Sequence, residues 1–275
     1  MSVENERQEK KSANDCQDQK RIRKRKNAIR EVVSITILLI AVCMFVFSLY
    51  QLILLLIPYY TGGKEYDKVK SLAIITDKGS DEEPGKFQVD FDALLSENPD
   101  TVAWIRFEEP AIISYPVVKS KDNQEYLTKT FSANENKLGA IFMDMSNSSS
   151  FSDRNTMIYG HNLKVGGEMF SQLNAYADEA FCKEHPYFYI YTPDGKEYTY
   201  QVFSAGIVKN TAKNYKLSYA SDEEWQAYLE LCKNSSNYDV DVELNAQSKI
   251  VSLSTCTNVN QNERFLLQGV LVEEK

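Results

Sequence analysis

The stretch that decides the fold is VSLSTCTNVNQNERFLLQGVL, residues 251–271. It contains most of two apolar runs, KIVSLST (249–255) and RFLLQGVLV (264–272), which predict two strands at the end of the chain. Cys256 ends the first run and Arg264 opens the second. If the strands form an antiparallel hairpin, these two residues lie near-opposite on one face, with Cβ atoms ~4.5–5.5 Å apart. The loop TNVNQNE is too long to fix that register.

Other short β-rich segments lie upstream, separated by polar loops. They are TVAWIRF (101–107), AIISYPVV (111–118), LGAIFMD (138–144), NTMIYG (155–160) and the aromatic hairpin YFYIYTPDGKEYTYQVFSAGIV (187–208). Helices are predicted over 90–98, over 168–181 and over 221–233, where Ser221 and Glu224 form a capping box and Cys232 lies on the apolar stripe. Many short strands with a few inserted helices favour a mainly β fold, a barrel or a sandwich, over a parallel α/β sheet.

Strand alternation places Cys256 on a polar face. Counting back in twos from Cys256 gives Ser254, Ser252 and Ile250, whereas the opposite face holds Thr255, Leu253 and Val251. A structural thiol is expected on the apolar face, so the pattern favours a cysteine that reaches solvent and serves as a nucleophile. An inert core thiol stays the alternative, because free cysteine is among the most buried residue types.

A thiol nucleophile usually needs a proton-transfer partner, most often histidine. The chain has two histidines. His161 follows a β-rich run where strand gives way to loop, whereas His185 lies between a helix end and Pro186 and is interpreted as a packing residue. We therefore favour His161. Beside Cys256, Arg264 would hold a substrate carbonyl or an oxyanion; the alternative for it is a solvated charge at a strand end.

The remaining cysteines do not form a disulfide framework. Three of the five, Cys182, Cys232 and Cys256, fall in the large C-terminal region, and an odd number leaves at least one unpaired within the chain. No paired Cys or His spacing supplies a zinc ligand set, and the acidic residues are scattered. We predict no metal and no cofactor.

The N-terminus carries a membrane-targeting pattern. Residues 1–31 form a basic tail whose segment KRIRKRKNAIR (20–30) has seven positive charges and no acid. Residues 32–57 follow without a charged side chain; at ~1.5 Å per residue they would span about 39 Å, enough to cross a ~30 Å hydrocarbon core. A buried core helix and a cleaved signal peptide are the alternatives, but the segment is longer than a signal h-region.

The basic flank precedes the apolar segment, so the positive-inside rule leaves the tail in the cytoplasm and the rest outside, as a single-pass protein of the cell membrane. Residues 58–86, punctuated by glycine and charge, are interpreted as a stalk, and the folded domain is predicted over 87–275. Beside a spanning helix the basic run is a weak nucleic-acid signal, and no nucleic-acid partner is expected.

The cysteine and histidine segments resemble a known family. S-L-S-T-C (252–256), with Arg264 eight residues on, is similar to the T-L-x-T-C box and arginine of the sortases, departing only in having Ser for Thr at the first position. Y-G-H-N (159–162) followed by G-x-M-F (167–170) resembles the histidine segment of class B, and helix 221–233 resembles the extra helix of that class. The resemblance, to a class B sortase of Gram-positive bacteria, covers roughly 87–275.

The resemblance implies a closed eight-stranded β-barrel with the site at its end. It implies a cysteine transpeptidase in which Cys256 attacks a backbone carbonyl, His161 transfers protons and Arg264 holds the oxyanion, with Ser254, Thr255 and Asn162 as groove candidates. The implied partners are secreted proteins with a C-terminal, NPxTN-like sorting signal and an amine of the cell wall. Two alternatives stay open: a cysteine hydrolase that uses the same pair, and a tethered binding module without activity.

Overall fold

The structure, a computed structural model, describes residues 2–76, 87–110, 112–163 and 165–275. It divides into two compact units, one ending at Ile57 and one spanning Pro58–Lys275. Helix α1 (Ser2–Ala73) makes up the first unit and extends into the second. Its most apolar part has a mean hydropathy of 2.8, and its side chains there are exposed. By length and composition this helix is a candidate membrane span.

The second unit is built mainly from strands. Two short ones, β1 (Ile74–Thr76) and β2 (Phe87–Val89), pair antiparallel with each other. The others are β3 Thr101–Arg106, β4 Ser114–Val118, β5 Ile141–Met143, β6 Asn155–Tyr159, β7 Tyr187–Tyr191, β8 Glu197–Lys209, β9 Ile250–Cys256 and β10 Glu263–Glu274. These eight close into a barrel in the order β10-β8-β7-β3-β4-β5-β6-β9. The closed barrel confirms the predicted fold class.

Strand β9 is the element that organises one end of the barrel. It pairs parallel with β6, Ser254 opposite Tyr159, and antiparallel with β10, Cys256 opposite Arg264. Parallel strands end at the same edge of a sheet, and an antiparallel neighbour begins there. The segments after β6 and β9 and the start of β10 therefore meet at one place, and the predicted terminal hairpin is confirmed.

The barrel interior is filled by apolar and aromatic side chains. Val251 and Leu253 of β9 are fully buried in this core, as their face of the strand predicts. Phe188 stacks on Phe107 at 4.9 Å and on Tyr200 at 5.2 Å between ring centroids. Offset aromatic pairs of this kind add to the free energy gained by burying their area.

The helices lie outside the barrel: α2 Phe91–Glu97, α3 Glu179–Glu184 and α4 Asp222–Asn234. Helix α4 begins as predicted, because the Ser221 side chain accepts from the backbone N–H of Glu224 at 3.3 Å. The single helix predicted over 168–181 is instead a 3-10 helix at Ser171–Ala177 followed by α3. Asp178 has extended backbone between them and caps α3 by accepting from Ala180 N–H at 2.8 Å, which separates the two.

Residues 58–73 differ from the stalk predicted over 58–86. They are the last turns of α1 and belong to the same compact unit as the barrel. Tyr66, Val69 and Ala73 recur at helical spacing and form an apolar stripe. They are 2%, 3% and 0% exposed, because they pack in the same hydrophobic core as the strands of the barrel. Residues 77–86 of the predicted stalk lie outside the described residues.

Candidate active site

A cavity of about 370 Å³ opens where the ends of β6 and β9 meet the start of β10. All three residues predicted to be catalytic line it: His161, Cys256 and Arg264. The groove candidates Ser254 and Thr255 line it as well. Asn162, the third groove candidate, does not line the cavity; its side chain forms a hydrogen bond with the backbone of Cys256.

Cys256 is the last residue of β9 and is half-buried, facing the cavity. Its backbone carbonyl accepts a 2.7 Å hydrogen bond from Asn162 Nδ2, which fixes the strand end that presents the thiol. Cys182 and Cys232 are buried, and burial raises the pKa of both thiols, that of Cys232 to about 11. A buried thiol with a raised pKa is inert, so Cys256 is the accessible one of the three. Cys232 packs in the α4 core, as its position on the helix stripe predicts.

His161 is held from two sides at the edge of the cavity. Its Nε2 lies 2.8 Å from the backbone oxygen of Leu127. Because a carbonyl oxygen only accepts, this hydrogen bond assigns a proton to Nε2 and leaves Nδ1 as the ring atom that can exchange one. The ring also packs on Gly139, where an added Cβ would fall 2.7 Å from His161 Cδ2. His185 lies at the end of α3 against Phe181, with ring centroids 4.9 Å apart, and does not line the cavity.

Arg264 is anchored by its own loop. Its Nη1 donates to the backbone oxygens of Gln261 at 2.8 Å and Glu263 at 2.9 Å. Within the described part of the chain, no carboxylate lies within ion-pairing distance of its guanidinium. A guanidinium that is fixed by backbone oxygens and unpaired with an acid remains available to an anionic or carbonyl oxygen in the cavity.

The three groove candidates have different surroundings. Ser254 is 3% exposed and shares a 2.8 Å hydrogen bond with the hydroxyl of Tyr215, so it holds that ring against the cavity. Thr255 Oγ1 is buried and, among the described residues, has no hydrogen-bond partner. Asn162 links two loops: it donates to Cys256 O and accepts at its own backbone oxygen from Asn258 Nδ2 at 2.8 Å.

Sequence reasoning missed several side chains that shape the cavity, among them Asn123, Tyr159 and Tyr215. Asp144 orients two of them, since its Oδ2 accepts from Asn123 Nδ2 at 2.8 Å and from the Tyr159 hydroxyl at 2.9 Å. Burial, and then Asp144, raises the pKa of Tyr159, so this phenol stays a neutral donor. Tyr159 ends β6 two positions before His161, whereas Asn123 and Tyr215 come from segments far apart along the chain that no local pattern marks.

An accessible thiol, an imidazole and a guanidinium at one end of a closed eight-stranded barrel form the site of an enzyme that transfers acyl groups through a cysteine. The sortase domain family matches residues 109–272, and the chain belongs to the sortase family.

The more similar relatives belong to one class. Sortase B of Listeria monocytogenes is 34% identical over 179 residues, which cover 64% of this chain and 71% of that protein. The crystal structure of sortase B from Bacillus anthracis in complex with AAEK1 has a TM-score of 0.68 at 30% identity, covering 79% of this chain and 99% of that one. The Staphylococcus aureus sortase B–substrate complex has a TM-score of 0.62 at 28% identity, covering 66% and 84%. This chain is a class B sortase, as the sequence resemblance indicates.

Proposed function

We propose that this sortase works from the membrane, cleaves a C-terminal sorting signal of secreted proteins through a thioacyl-enzyme at Cys256, and transfers the acyl group to a cell-wall amine. The observation that carries the proposal is the strand register. It places Cys256 directly opposite Arg264 on the wall of a cavity that His161 also lines. Nucleophile, proton carrier and oxyanion donor thus share one site.

In the first step, Cys256 Sγ attacks a peptide carbonyl carbon as a thiolate, its proton having passed to His161 Nδ1 to form the imidazolium, and a C–S bond forms. The electron pair of the C=O bond moves to oxygen, and Arg264 stabilises that negative charge from a position its backbone contacts fix in advance. As the intermediate collapses, the C–N bond breaks and the amine takes a proton from His161. Nδ1 is the donor, because Nε2 is engaged by the Leu127 carbonyl.

In the second step, an amine attacks the thioester carbon, and His161 Nδ1 takes the proton that the amine loses. The C–S bond breaks, Cys256 is regenerated as a thiolate beside the imidazolium, and a new amide replaces the one that was cut. The reaction exchanges one amide for another, with no change in oxidation state. Water in place of the amine would give hydrolysis, which is the competing interpretation of the same site.

The substrate side of the proposal is a peptide with an NPxTN-like motif. Its support is the kinship with sortase B of Staphylococcus aureus, whose structure is described as a substrate complex. The cavity is lined by apolar side chains such as Leu127 and Phe142 together with polar ones such as Asn123 and Tyr215. Such a mixture suits an extended peptide held by its side chains while one carbonyl meets the thiol.

The membrane side rests on the N-terminal helix. We propose that residues 32–57 span the membrane once, with the basic tail 1–31 in the cytoplasm and the barrel outside, where exported proteins and wall precursors meet. Support comes from the length and hydropathy of this helix and from the seven positive charges in 20–30 that precede it.

The test uses the full chain in detergent micelles with a panel of sorting-signal peptides and a wall-type amine, with products identified by mass spectrometry. Wild type is compared with Cys256→Ala, and with Cys232→Ala as a control for loss of a buried thiol. We expect an amide-exchanged product from wild type and Cys232→Ala, and none from Cys256→Ala. Cleavage without exchange would favour the hydrolase, and a Cys256 no more reactive toward thiol reagents than Cys182 would favour the binding module.

A further inference from the structure

The last turns of helix α1 reach the backbone that holds His161. From this arrangement we propose that Tyr66, eight residues after Pro58 on that helix, is a positioning residue for His161. The inference rests on the proposed role of His161 in proton transfer. It assigns a catalytic contribution to the segment between the candidate membrane span and the barrel, a segment that does not line the cavity.

The support of His161 comes from one loop. Leu127 supplies the carbonyl that accepts from Nε2 at 2.8 Å, and Gly139 supplies the backbone on which the ring packs. The loop between them closes on itself, since Ala140 N–H donates to the backbone oxygen of Tyr126 at 3.0 Å. A shift of this loop therefore moves both groups that set the orientation of the imidazole.

The buried hydroxyl of Tyr66 forms two hydrogen bonds with the backbone of that loop. This hydroxyl donates to the backbone oxygen of Gly139 at 2.7 Å and accepts from Phe131 N–H at 3.1 Å. The side chain is 2% exposed, and its ring packs edge-on against Tyr115 with centroids 5.4 Å apart. Burial raises the pKa of Tyr66 well above its usual range, so the hydroxyl remains protonated and able to donate.

Neighbouring residues of the same helix hold the same loop. The Glu65 carboxylate accepts from Ser132 N–H and from Asn134 Nδ2, both at 3.0 Å, and Asn136 Nδ2 donates to the Pro58 carbonyl at 3.0 Å. These contacts are exposed or half-buried, whereas the pair made by Tyr66 is buried. Tyr66 is thus the contact whose loss leaves buried backbone groups without a partner, and such groups are costly.

Removal of the hydroxyl should affect catalysis more than substrate binding. In Tyr66→Phe the ring still fills its site, but Gly139 O and Phe131 N–H lose their shared partner, and the loop must move to find others. Because proton transfer depends on the position of the imidazole, misplacement by a fraction of an ångström lowers kcat. Tyr66 is outside the cavity, but the loop that it holds includes Leu127, which lines the cavity, so KM should change by less than kcat.

The experiment compares wild type, Tyr66→Phe and Tyr238→Phe as full chains in micelles. Tyr238 is the matched control, because its hydroxyl also donates to a backbone oxygen, that of Tyr176 at 2.6 Å, and the side chain does not line the cavity. Amide exchange gives kcat and KM separately. Nitrogen-15 labelling of histidine gives a second readout that needs no substrate, since the chain has two histidines.

We expect Tyr66→Phe to lower kcat about tenfold with a smaller change in KM and to shift the His161 ring signals, while Tyr238→Phe leaves kcat and the ring signals as in wild type. The inference would be overturned if Tyr66→Phe had the kcat of wild type and unshifted His161 signals. It would also be overturned if Tyr238→Phe lowered kcat as much as Tyr66→Phe does. If wild type itself gave no exchange product, the proposed function would fall, and the His161 signals alone would decide whether Tyr66 positions the ring.

Discussion

Replacement of Gly139 by alanine tests whether the catalytic geometry depends on the packing of His161. Gly139 has a φ of +61°, and a Cβ placed there would lie 2.7 Å from His161 Cδ2 and 2.8 Å from the backbone oxygen of Tyr126. Ordinary contact begins at 3.4 Å, so the imidazole or the backbone must give way by about 0.7 Å. We expect the imidazole to move farther than the loop, because it is a side chain, and relief of the 2.8 Å contact with the Tyr126 oxygen needs a shift of the backbone as well.

Two costs follow from this substitution and they can be separated. The positive φ costs about 1–2 kcal/mol of stability for any residue with a Cβ. Displacement of the ring acts on the rate instead, because a 1 Å error in a reacting group can cost about 10²-fold. For a shift of about 0.7 Å we expect kcat to fall roughly 10- to 100-fold.

Gly195→Ala is the matched control, since Gly195 has a φ of +84° with no atom within 4 Å of its Cβ position. Both variants should lose free energy of unfolding, measured by urea denaturation, and Gly139→Ala should lose more, because its Cβ also meets a backbone oxygen at 2.8 Å; Gly139→Ala alone should lose kcat in the amide-exchange assay. Equal activity in the two folded variants would refute the reasoning, because it would show that the ring tolerates the added methyl group without losing its function.

Three further predictions concern other parts of the second unit. Asn162→Ala removes the 2.7 Å hydrogen bond to the Cys256 carbonyl, and we expect kcat to fall about 5- to 10-fold in the same assay, from about 1 kcal/mol of lost positioning. Asn258→Ala is the comparison, because the Asn258 side chain donates to the Asn162 backbone oxygen and not to Cys256. A fall in kcat that is smaller in Asn162→Ala than in Asn258→Ala would contradict this prediction. A fragment 87–275 lacks Tyr66 and Val69, whose burial contributes about 1.5–3 kcal/mol each before the cost of ordering the helix. Urea denaturation should show this fragment to be about 2–4 kcal/mol less stable than the fragment 58–275. Equal denaturation midpoints of the two fragments would instead support the predicted stalk, in which these residues do not pack on the barrel. Burial raises the pKa of Tyr200 in the folded state above its usual value of ~10. The unfolded chain therefore loses this proton first, and stability falls as pH rises above about 10, by up to ~1.4 kcal/mol per pH unit for this tyrosine. Tyr200→Phe should reduce that slope, and an unchanged slope would show that Tyr200 ionises equally in both states.

The sequence alone determined those features that are local along the chain. The capping residue Ser221 and the aromatic hairpin each depend on neighbours within a few residues, so the sequence predicts them. The alternation around Cys256 identifies the two faces of β9, but its polar face is buried as well, with Ser252 and Ser254 at 0% and 3% exposed. The spacing from Cys256 to Arg264 suggested their juxtaposition, and the register of β9 and β10 places them opposite each other. The family resemblance then indicated the closed barrel, which the structure has.

Features that depend on distant segments were decided by the tertiary structure. Residues 58–73 resemble a linker in composition, and only their packing against the barrel buries the stripe that contains Tyr66. Asn162 was expected in the groove, but it holds the Cys256 carbonyl, because the turn after β6 lies beside the end of the parallel strand β9. The support of His161 by Leu127 and Gly139 joins residues more than twenty positions away. Local periodicity indicates which residues share a face of an element, whereas closure of the barrel determines which faces are buried and which loops meet at its end.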